Sequence, residues 1–323
     1  MVLKLDMFDK RILFELDKNA RITTSDIGKM LKKSKQFVDY RIKKLEDQKI
    51  LLGYTTVIEH AKLGYRSSRV YFKFRNITPE KQKELEKDLI KDKEVWWLVT
   101  LEGQWDVGYA MAISTIVDFY KYWDVLMDKY RKYISNRYVV LYTHVRQYPK
   151  SYLIDKKNMD SGTIVGKSKL RDPILTEFDL QLLKVLSSNG RMPLLTLASH
   201  MKTSPQVVKN HITILTKKEI IQGYRAIIDI SKLGYRYFRV FMNLVHTERI
   251  KELLQYIKEH PNIVNIDRTI GGADVEIEIQ VKSFDEFDTI IKGMRSHFKG
   301  MIDTVDFVIV GKEKKMNYFP FKY

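Results

Sequence analysis

The chain has 323 residues, with 57 Lys and Arg against 40 Asp and Glu, a formal net charge of +17 and a pI near 9.6. It holds no cysteine, which excludes disulfides, thiolate metal sites and cysteine nucleophiles. No apolar run approaches the roughly 18 residues of a membrane span, and the start, Met1-Val-Leu-Lys-Leu-Asp6, lacks the basic start and apolar core of a signal peptide. A cytoplasmic protein with no membrane partner is expected. The positive balance suits a polyanion such as nucleic acid, or equally a lysine-rich solubilising surface.

Three short helical patterns open the chain, with apolar stripes at Ile12, Leu13 and Leu16, then Ile27, Met30 and Leu31, then Val38, Ile42 and Leu45. Ser34 stands where an N-cap of the third helix belongs. A β-rich stretch at 54–58 follows Gly53 and reads as a hairpin arm. Residues 1–60 thus read as a winged helix-turn-helix. Residues 61–149 alternate: a strand at 68–74, a helix at 79–91, a hairpin of 94–101 and 106–113 turned at Gly103, a helix at 115–133 and a strand at 136–146. The order βαββαβ is ferredoxin-like. Residues 150–172 are polar, carry Ser161, Gly162, Gly166 and Ser168, precede Pro173, and read as a linker.

The pattern then returns at an offset of 170: Asn19 meets Asn189, Arg21 meets Arg191, Ser34 meets Ser204, Gln36 meets Gln206, and Lys62-Leu-Gly-Tyr-Arg66 meets Lys232-Leu-Gly-Tyr-Arg236. Ser204 is followed by Pro205, which suits a first helical turn. The copy at 224–228 repeats the arm. Later the second copy is two residues shorter, so Gly103-Gln-Trp-Asp106 meets Gly271-Gly-Ala-Asp274. Such an offset marks a duplication. The expected fold is α+β: two copies of a winged helix-turn-helix domain (1–60 and 173–230), each followed by a βαββαβ ferredoxin-like domain (61–149 and 231–323). In the second copy, 275–281 alternates cleanly and is expected to bury one face.

The third helix is the candidate reader of DNA. If Val38, Ile42 and Leu45 face inward, Gln36, Tyr40, Lys43 and Lys44 face outward, flanked by Lys35 and Arg41. Lys32 and Lys33 precede the helix where phosphates would pass, beside Ser34. Gln pairs with adenine, and Lys or Arg with guanine or phosphate. The expectation is that the bases anchor on phosphates while Gln36, Tyr40 and Arg41 read or buttress bases. The second copy offers Ser204, Gln206, Lys209, Asn210 and His211 as DNA contacts, but Ile214 stands where Lys44 does. A weaker reader and a copy that only packs both fit. Net charge is +4 over 1–60, +3 over 171–230 and +6 over 61–150, so the excess is not confined to the helical domains.

Gly103, Asp106, Gly271 and Asp274 form two G-x-x-D turns. Glycine permits close backbone approach and an aspartate could hold an amino group, although a bare hairpin turn explains the pattern as well. The run 162–168, Gly-Thr-Ile-Val-Gly-Lys-Ser, has three residues between its glycines where a phosphate-binding loop wants four, with Pro173 soon after. The seven histidines show no metal-ligand spacing and no nucleophile beside them. No catalytic residue, cofactor or metal is expected.

Each copy resembles the Lrp/AsnC (feast/famine) regulators. The residues that carry the resemblance are Leu16–Tyr54 and their copy, the KLGYR pair and the G-x-x-D turns. The resemblance implies sequence-specific binding of double-stranded DNA and a homo-oligomer joined through the βαββαβ effector domains, often assembled further into octamers. It implies a small effector, commonly an amino acid, near Gly103, Asp106, Gly271 and Asp274. Two modules in one chain suggest an internal pseudo-dimer with two unequal reading helices and an asymmetric operator. Siroheme decarboxylases share this architecture, but Leu51-Leu-Gly-Tyr54 and Ile221-Gln-Gly-Tyr224 stand where those enzymes tend to carry paired arginines. A sensor or scaffold that barely binds DNA is the third reading.

Overall fold

The computed structural model describes residues 3–158, 162–166 and 175–319. The first module runs α1 (Met7–Lys18), α2 (Thr24–Leu31), α3 (Lys35–Asp47), β1 (Leu51–Ile58), β2 (Arg66–Phe74), α4 (Pro79–Lys91), β3 (Val95–Gly103), β4 (Val107–Ile113), α5 (Ile116–Tyr130) and β5 (Ile134–Gln147). A short β6 (Thr163–Val165) precedes the second module. That module runs α6 (Glu177–Ser188), α7 (Leu194–His200), α8 (Pro205–Lys217), β7 (Ile221–Ile228), β8 (Arg236–Leu244), α9 (Ile250–Glu259), β9 (Ile263–Ile270), β10 (Val275–Val281), α10 (Phe284–His297) and β11 (Ile302–Met316).

The helices of the first helix-turn-helix start on side-chain caps. Asp6, Thr23 and Ser34 accept the backbone N–H three residues on, at 2.9, 3.1 and 3.1 Å. Each satisfies one of the donors a helix start leaves open. Lys32 takes a left-handed φ of 54° and closes the turn between α2 and α3. Val38, Ile42 and Leu45 are buried as their spacing predicts, against Ile12, Leu13, Leu16 and Ile27.

The arms correct the hairpin expectation. β1 pairs antiparallel with β7 of the other module, and Thr55 faces its own counterpart Arg225. Each copy supplies one arm strand, so the partner has to come from the other copy. A pseudo-two-fold axis passes through that pair. The ferredoxin-like sheets close in the same way. β2, β4, β3, β11, β8, β10, β9 and β5 form a ring of antiparallel pairs that returns to β2. Eight strands enclose an interior just wide enough for side chains. The outer faces carry α4 and α5 on one sheet and α9 and α10 on the other, over separate apolar cores.

Two further expectations change. β10 buries both faces: Val275, Ile277 and Ile279 face the helices, while Glu276, Glu278 and Gln280 are also buried, inside the barrel. Its glutamates pair there with the guanidinium groups of Arg239 and Arg69. The linker is also partly packed. Ser151, Tyr152 and Leu153 are buried, Tyr152 Oη donates to Gln280 at 2.7 Å, and β6 pairs with β5. Ser161, Ser168 and Pro173 lie outside the described residues.

Candidate nucleic-acid interface and barrel cavity

α3 presents Lys35, Gln36, Tyr40, Lys43 and Lys44 to solvent, with Lys32, Lys33 and Ser34 exposed ahead of it. Among the described residues Lys32, Lys35, Lys43 and Lys44 have no carboxylate partner. Lys33 sits over the Phe8 and Phe37 rings, at 5.1 and 5.7 Å. Ser34 is fixed by its cap on Phe37 N–H. Arg41 departs from the expected reading role. Its guanidinium pairs with Asp6 at 2.6 Å and Asp9 at 3.1 Å and stacks on Phe37. It is 19% exposed and fastens α3 to α1. Residue 41 lies one step round the helix from the outward set, close enough to α1 for opposite charges to meet.

α8 repeats the frame with different chemistry. Ser204 caps Val207 N–H at 3.3 Å. His211, the counterpart of Arg41, is likewise drawn inward: its Nδ1 lies 2.7 Å from Asp179 and its ring meets that of Phe178 at a tilt, with centroids 4.5 Å apart. Burial would raise the Asp179 carboxyl, but hydrogen bonds from His211 and Thr176 hold it below the usual carboxylate range. Gln206 donates to Asn210 at 2.9 Å, so the two expected base readers satisfy one another. Lys209 is exposed. Val207 and Ile214 are exposed apolar side chains, and Leu195 on α7 is 75% exposed.

The two helix-turn-helices are locked together reciprocally. Arg21 donates to the carbonyls of Gly190 and Met192 at 3.0 and 3.2 Å. Arg191 donates to the carbonyls of Ala20 and of Ile22, the latter at 2.8 Å. Each guanidinium also lies over an arm tyrosine, Arg21 on Tyr224 and Arg191 on Tyr54. The backbone N–H of Ala20 and of Gly190 donates to the carbonyl of the same tyrosine. The pair Arg21 and Arg191 was visible as a repeat in the sequence, but nothing there showed that each serves the other module.

The G-x-x-D aspartates are fastened to backbone. Asp106 accepts from Phe74 N–H at 2.6 Å and pairs with Lys73 at 2.8 Å, and Lys73 also donates to the Gly103 carbonyl. Asp274 accepts from Leu244 N–H at 2.8 Å. In both modules the aspartate ties the end of the first effector strand to the hairpin, with Gly103 and Gly271 at positive φ of 116° and 83°. Trp105 is buried and stacks on Tyr71 and Tyr138 inside the barrel. Ala273 takes its place in the second copy.

Further along the barrel lies an ionic cluster that periodicity did not flag. Arg239 donates to Asp267, to Glu276 at 2.6 Å and to Glu278, which also accepts from Tyr237 Oη. Arg69, its counterpart, reaches Asp267 and Tyr71, each at 3.3 Å, and lies 4.5 Å over Trp97. Three carboxylates face two guanidiniums inside the barrel, so one negative charge is in excess. Burial pushes the Asp267 carboxyl up to about 7, with Glu278 and Glu276 adding to it against the pull of Arg239 and Arg69. The alternation Glu276-Ile-Glu278 was the available signal.

The AsnC-type helix-turn-helix domain profile matches residues 5–46, and a winged helix-turn-helix DNA-binding profile matches residues 175–222. An uncharacterized HTH-type transcriptional regulator of Pyrococcus abyssi is 28% identical over 142 residues, covering 44% of this chain and 95% of the relative. HTH-type transcriptional regulator FL11 of Pyrococcus horikoshii is 24% identical over 148 residues, covering 46% and 97%. A whole relative thus aligns to less than half of this chain. Each half of the chain is thus similar to the Lrp/AsnC-type regulators, and the similarity occurs twice. The two-module fold has a solved counterpart: the siroheme decarboxylase NirDL superposes over 98% of this chain and 95% of that one, with a TM-score of 0.63 at 14% identity.

The barrel end next to the paired arms opens into a cavity. The cavity there has a volume of about 890 Å³. Its roof is the second arm and the residues after it, from Arg225 to Ser231, and its floor includes Arg69, Trp97 and Glu278. Asp17, also in its wall, is fully buried and accepts from Lys150 and Arg225, at 3.2 and 3.0 Å. Burial would raise that carboxyl, but the Arg225 and Lys150 charges hold it below its ordinary value. No helix among the described residues is long and apolar enough to cross a membrane.

Proposed function

We propose that this chain is a sequence-specific DNA-binding transcriptional regulator of the Lrp/AsnC type that grips DNA mainly through α3. The observation that carries the reading is the set of exposed lysines at 32, 35, 43 and 44, free of carboxylates and grouped around a capped helix. In a helix-turn-helix those side chains meet phosphates while Gln36 and Tyr40 reach base edges. Arg41 acts as a positioning residue. α8 supplies a weaker half-site through Lys209, Gln206 and Asn210, after Gln206 and Asn210 release one another. The Arg21 and Arg191 exchange fixes the spacing of the two half-sites, and their unequal faces favour an imperfect palindrome.

Modulation by an amino acid at the G-x-x-D turns gains little support from the geometry, since Asp106 and Asp274 are committed to backbone. Further homo-oligomers would have to use helix faces rather than barrel strands; α5 exposes Ile116, Val117, Tyr120 and Val125. The decarboxylase alternative rests on fold alone, and no histidine is among the cavity's lining residues. The test is an electrophoretic mobility shift with DNA upstream of the protein's own gene at two salt concentrations. Tight binding that weakens with salt supports the regulator. No shift with that or any other genomic fragment would falsify it, and an iron-porphyrin titration would follow.

A further inference from the structure

The barrel mouth has walls that are not satisfied by their own neighbours. Arg69 Nε, Trp96 Nε1 and Asn265 Oδ1 are buried and have no hydrogen-bond partner, and all three residues line the cavity. Their side chains are 3%, 4% and 3% exposed. Leaving a buried polar atom unpaired is costly, so three at one cavity point to something that pairs with them. A volume near 890 Å³ lies within the range of roughly 300–1,000 Å³ for organic ligand sites.

The charges narrow the class. Five basic and five acidic side chains line the cavity. Most are already used: Arg69 by Asp267, Lys150 and Arg225 by Asp17, Glu278 by Arg239, and Glu313 by the Trp97 N–H at 3.2 Å. Asp229 is taken by the N–H and hydroxyl of Ser231. Arg236, Lys312 and Glu102 remain exposed and unpaired among the described residues. Ser231 and the Trp97 N–H are neutral and cancel no charge on Asp229 or Glu313, so the cavity has no net positive charge. Arg236 and Lys312 are its two cations without a carboxylate partner, and an acid group would sit between them. The ring edges of Trp96, Trp97, Tyr237 and Tyr318 supply flat apolar wall.

We infer that the barrel mouth binds a planar aromatic monoanion, its acid held by Arg236 and Lys312 and its aromatic body lying along Trp96 and Trp97. Arg69 Nε and Trp96 Nε1 donate to it, and Asn265 Oδ1 accepts from an N–H or O–H that it carries. A dianion such as a nucleotide phosphate is disfavoured by the carboxylates around it. The site is roofed by the second arm, which pairs with the arm of the first reading helix, so occupancy and the setting of the two helix-turn-helices are mechanically joined.

The probe is 8-anilinonaphthalene-1-sulfonate, a monoanion with a flat naphthalene ring and one N–H, titrated into the full chain by fluorescence without DNA. The result is therefore separate from that of the DNA-binding reading. Saturable binding at one site per chain is expected. R236E/K312E should weaken it at least 10-fold, and W96F about 3-fold. Arg236 and Lys312 are exposed, so their exchange leaves folding intact, checked by the thermal midpoint. Adenosine monophosphate, with a flat base but a dianionic phosphate, should not displace the probe. Absence of saturable binding, unchanged affinity in R236E/K312E, or displacement by adenosine monophosphate each overturns the inference.

Discussion

The two modules share a frame and differ in what fills it. Two of the three helix caps, the reciprocal arginines and the turn aspartates recur at matching positions, while Thr23 gives way to Pro193, which makes no side-chain cap. Each recurring feature satisfies backbone groups that the fold leaves open in both halves. The faces turned outward or into the barrel diverge. Lys33, Lys35, Lys43 and Lys44 become Thr203, Pro205, Thr213 and Ile214. Inside the barrel, Gly108, Ala110 and Ala112 of β4 become Glu276, Glu278 and Gln280 of β10, and Val99 becomes Asp267. All three cluster carboxylates come from the second module, and each module gives one arginine. One half keeps a basic outer helix face while the other carries the buried carboxylates.

The largest expected effect breaks the comparison at the reading helices. K35A/K43A/K44A should weaken DNA binding about 100-fold and lower the slope of log affinity against log salt by up to about 3, roughly one for each phosphate no longer neutralised. Lys209→Ala should change affinity no more than about 3-fold. Anisotropy titrations at several salt concentrations read both, and equal losses would place the halves on the same footing.

The next effect sharpens the comparison at the lock. A Cβ on Gly190 would stand 2.6 Å from the Thr55 carbonyl oxygen. Gly190→Ala should therefore cost about 2 kcal/mol, whereas Ala20→Gly at the matching position should cost about 1 kcal/mol, from the missing methyl group and added chain freedom. Urea denaturation midpoints report the difference. If both variants unfold at the same midpoint, the close approach at Gly190 is not limiting. Arg21→Ala and Arg191→Ala should each cost about 1.5 kcal/mol, since each removes charge-assisted bonds to two carbonyls. They should also impair DNA binding more than their stability loss accounts for.

The last effect concerns the barrel charge. The Asp267 carboxyl is raised in the folded chain, so its contribution is present in full below its unfolded value and is lost as pH rises through about 7. Relative to Asp267→Asn, the wild type should lose stability between pH 5 and 8, at no more than about 1.4 kcal/mol per pH unit. A difference in thermal midpoint that stays flat across that range would mean the proton sits elsewhere in the cluster.

Much of the frame was legible beforehand. The helix at 79–91, the hairpin turned at Gly103 and the capping role of Ser34 follow from local pattern, and the structure has them where the sequence puts them. What escaped was whatever joins the modules. Periodicity says that residues 54–58 make a strand but not that β7 is its partner, because pairing across about 170 residues leaves no local mark. For the same reason Arg41 read as a DNA contact: a cation on an outer helix face looks the same whether it meets phosphate or a carboxylate on α1. The alternation in β10 gave its apolar face correctly. Its polar face is buried by Arg69 and Arg239, which approach from other strands.

The closed ring of strands has a consequence for dilution. Two separate modules that pair through their sheets come apart as concentration falls, and the coupling between their half-sites goes with them. Here the second half is tethered to the first, at an effective concentration on the order of millimolar. The ring therefore persists at the lowest copy number a cell can hold. Occupancy of a two-half-site target then rises with the first power of the number of chains, not the second. Such a protein answers a small change in its own abundance with a proportionate change in occupancy, where a dissociating pair would answer with a threshold.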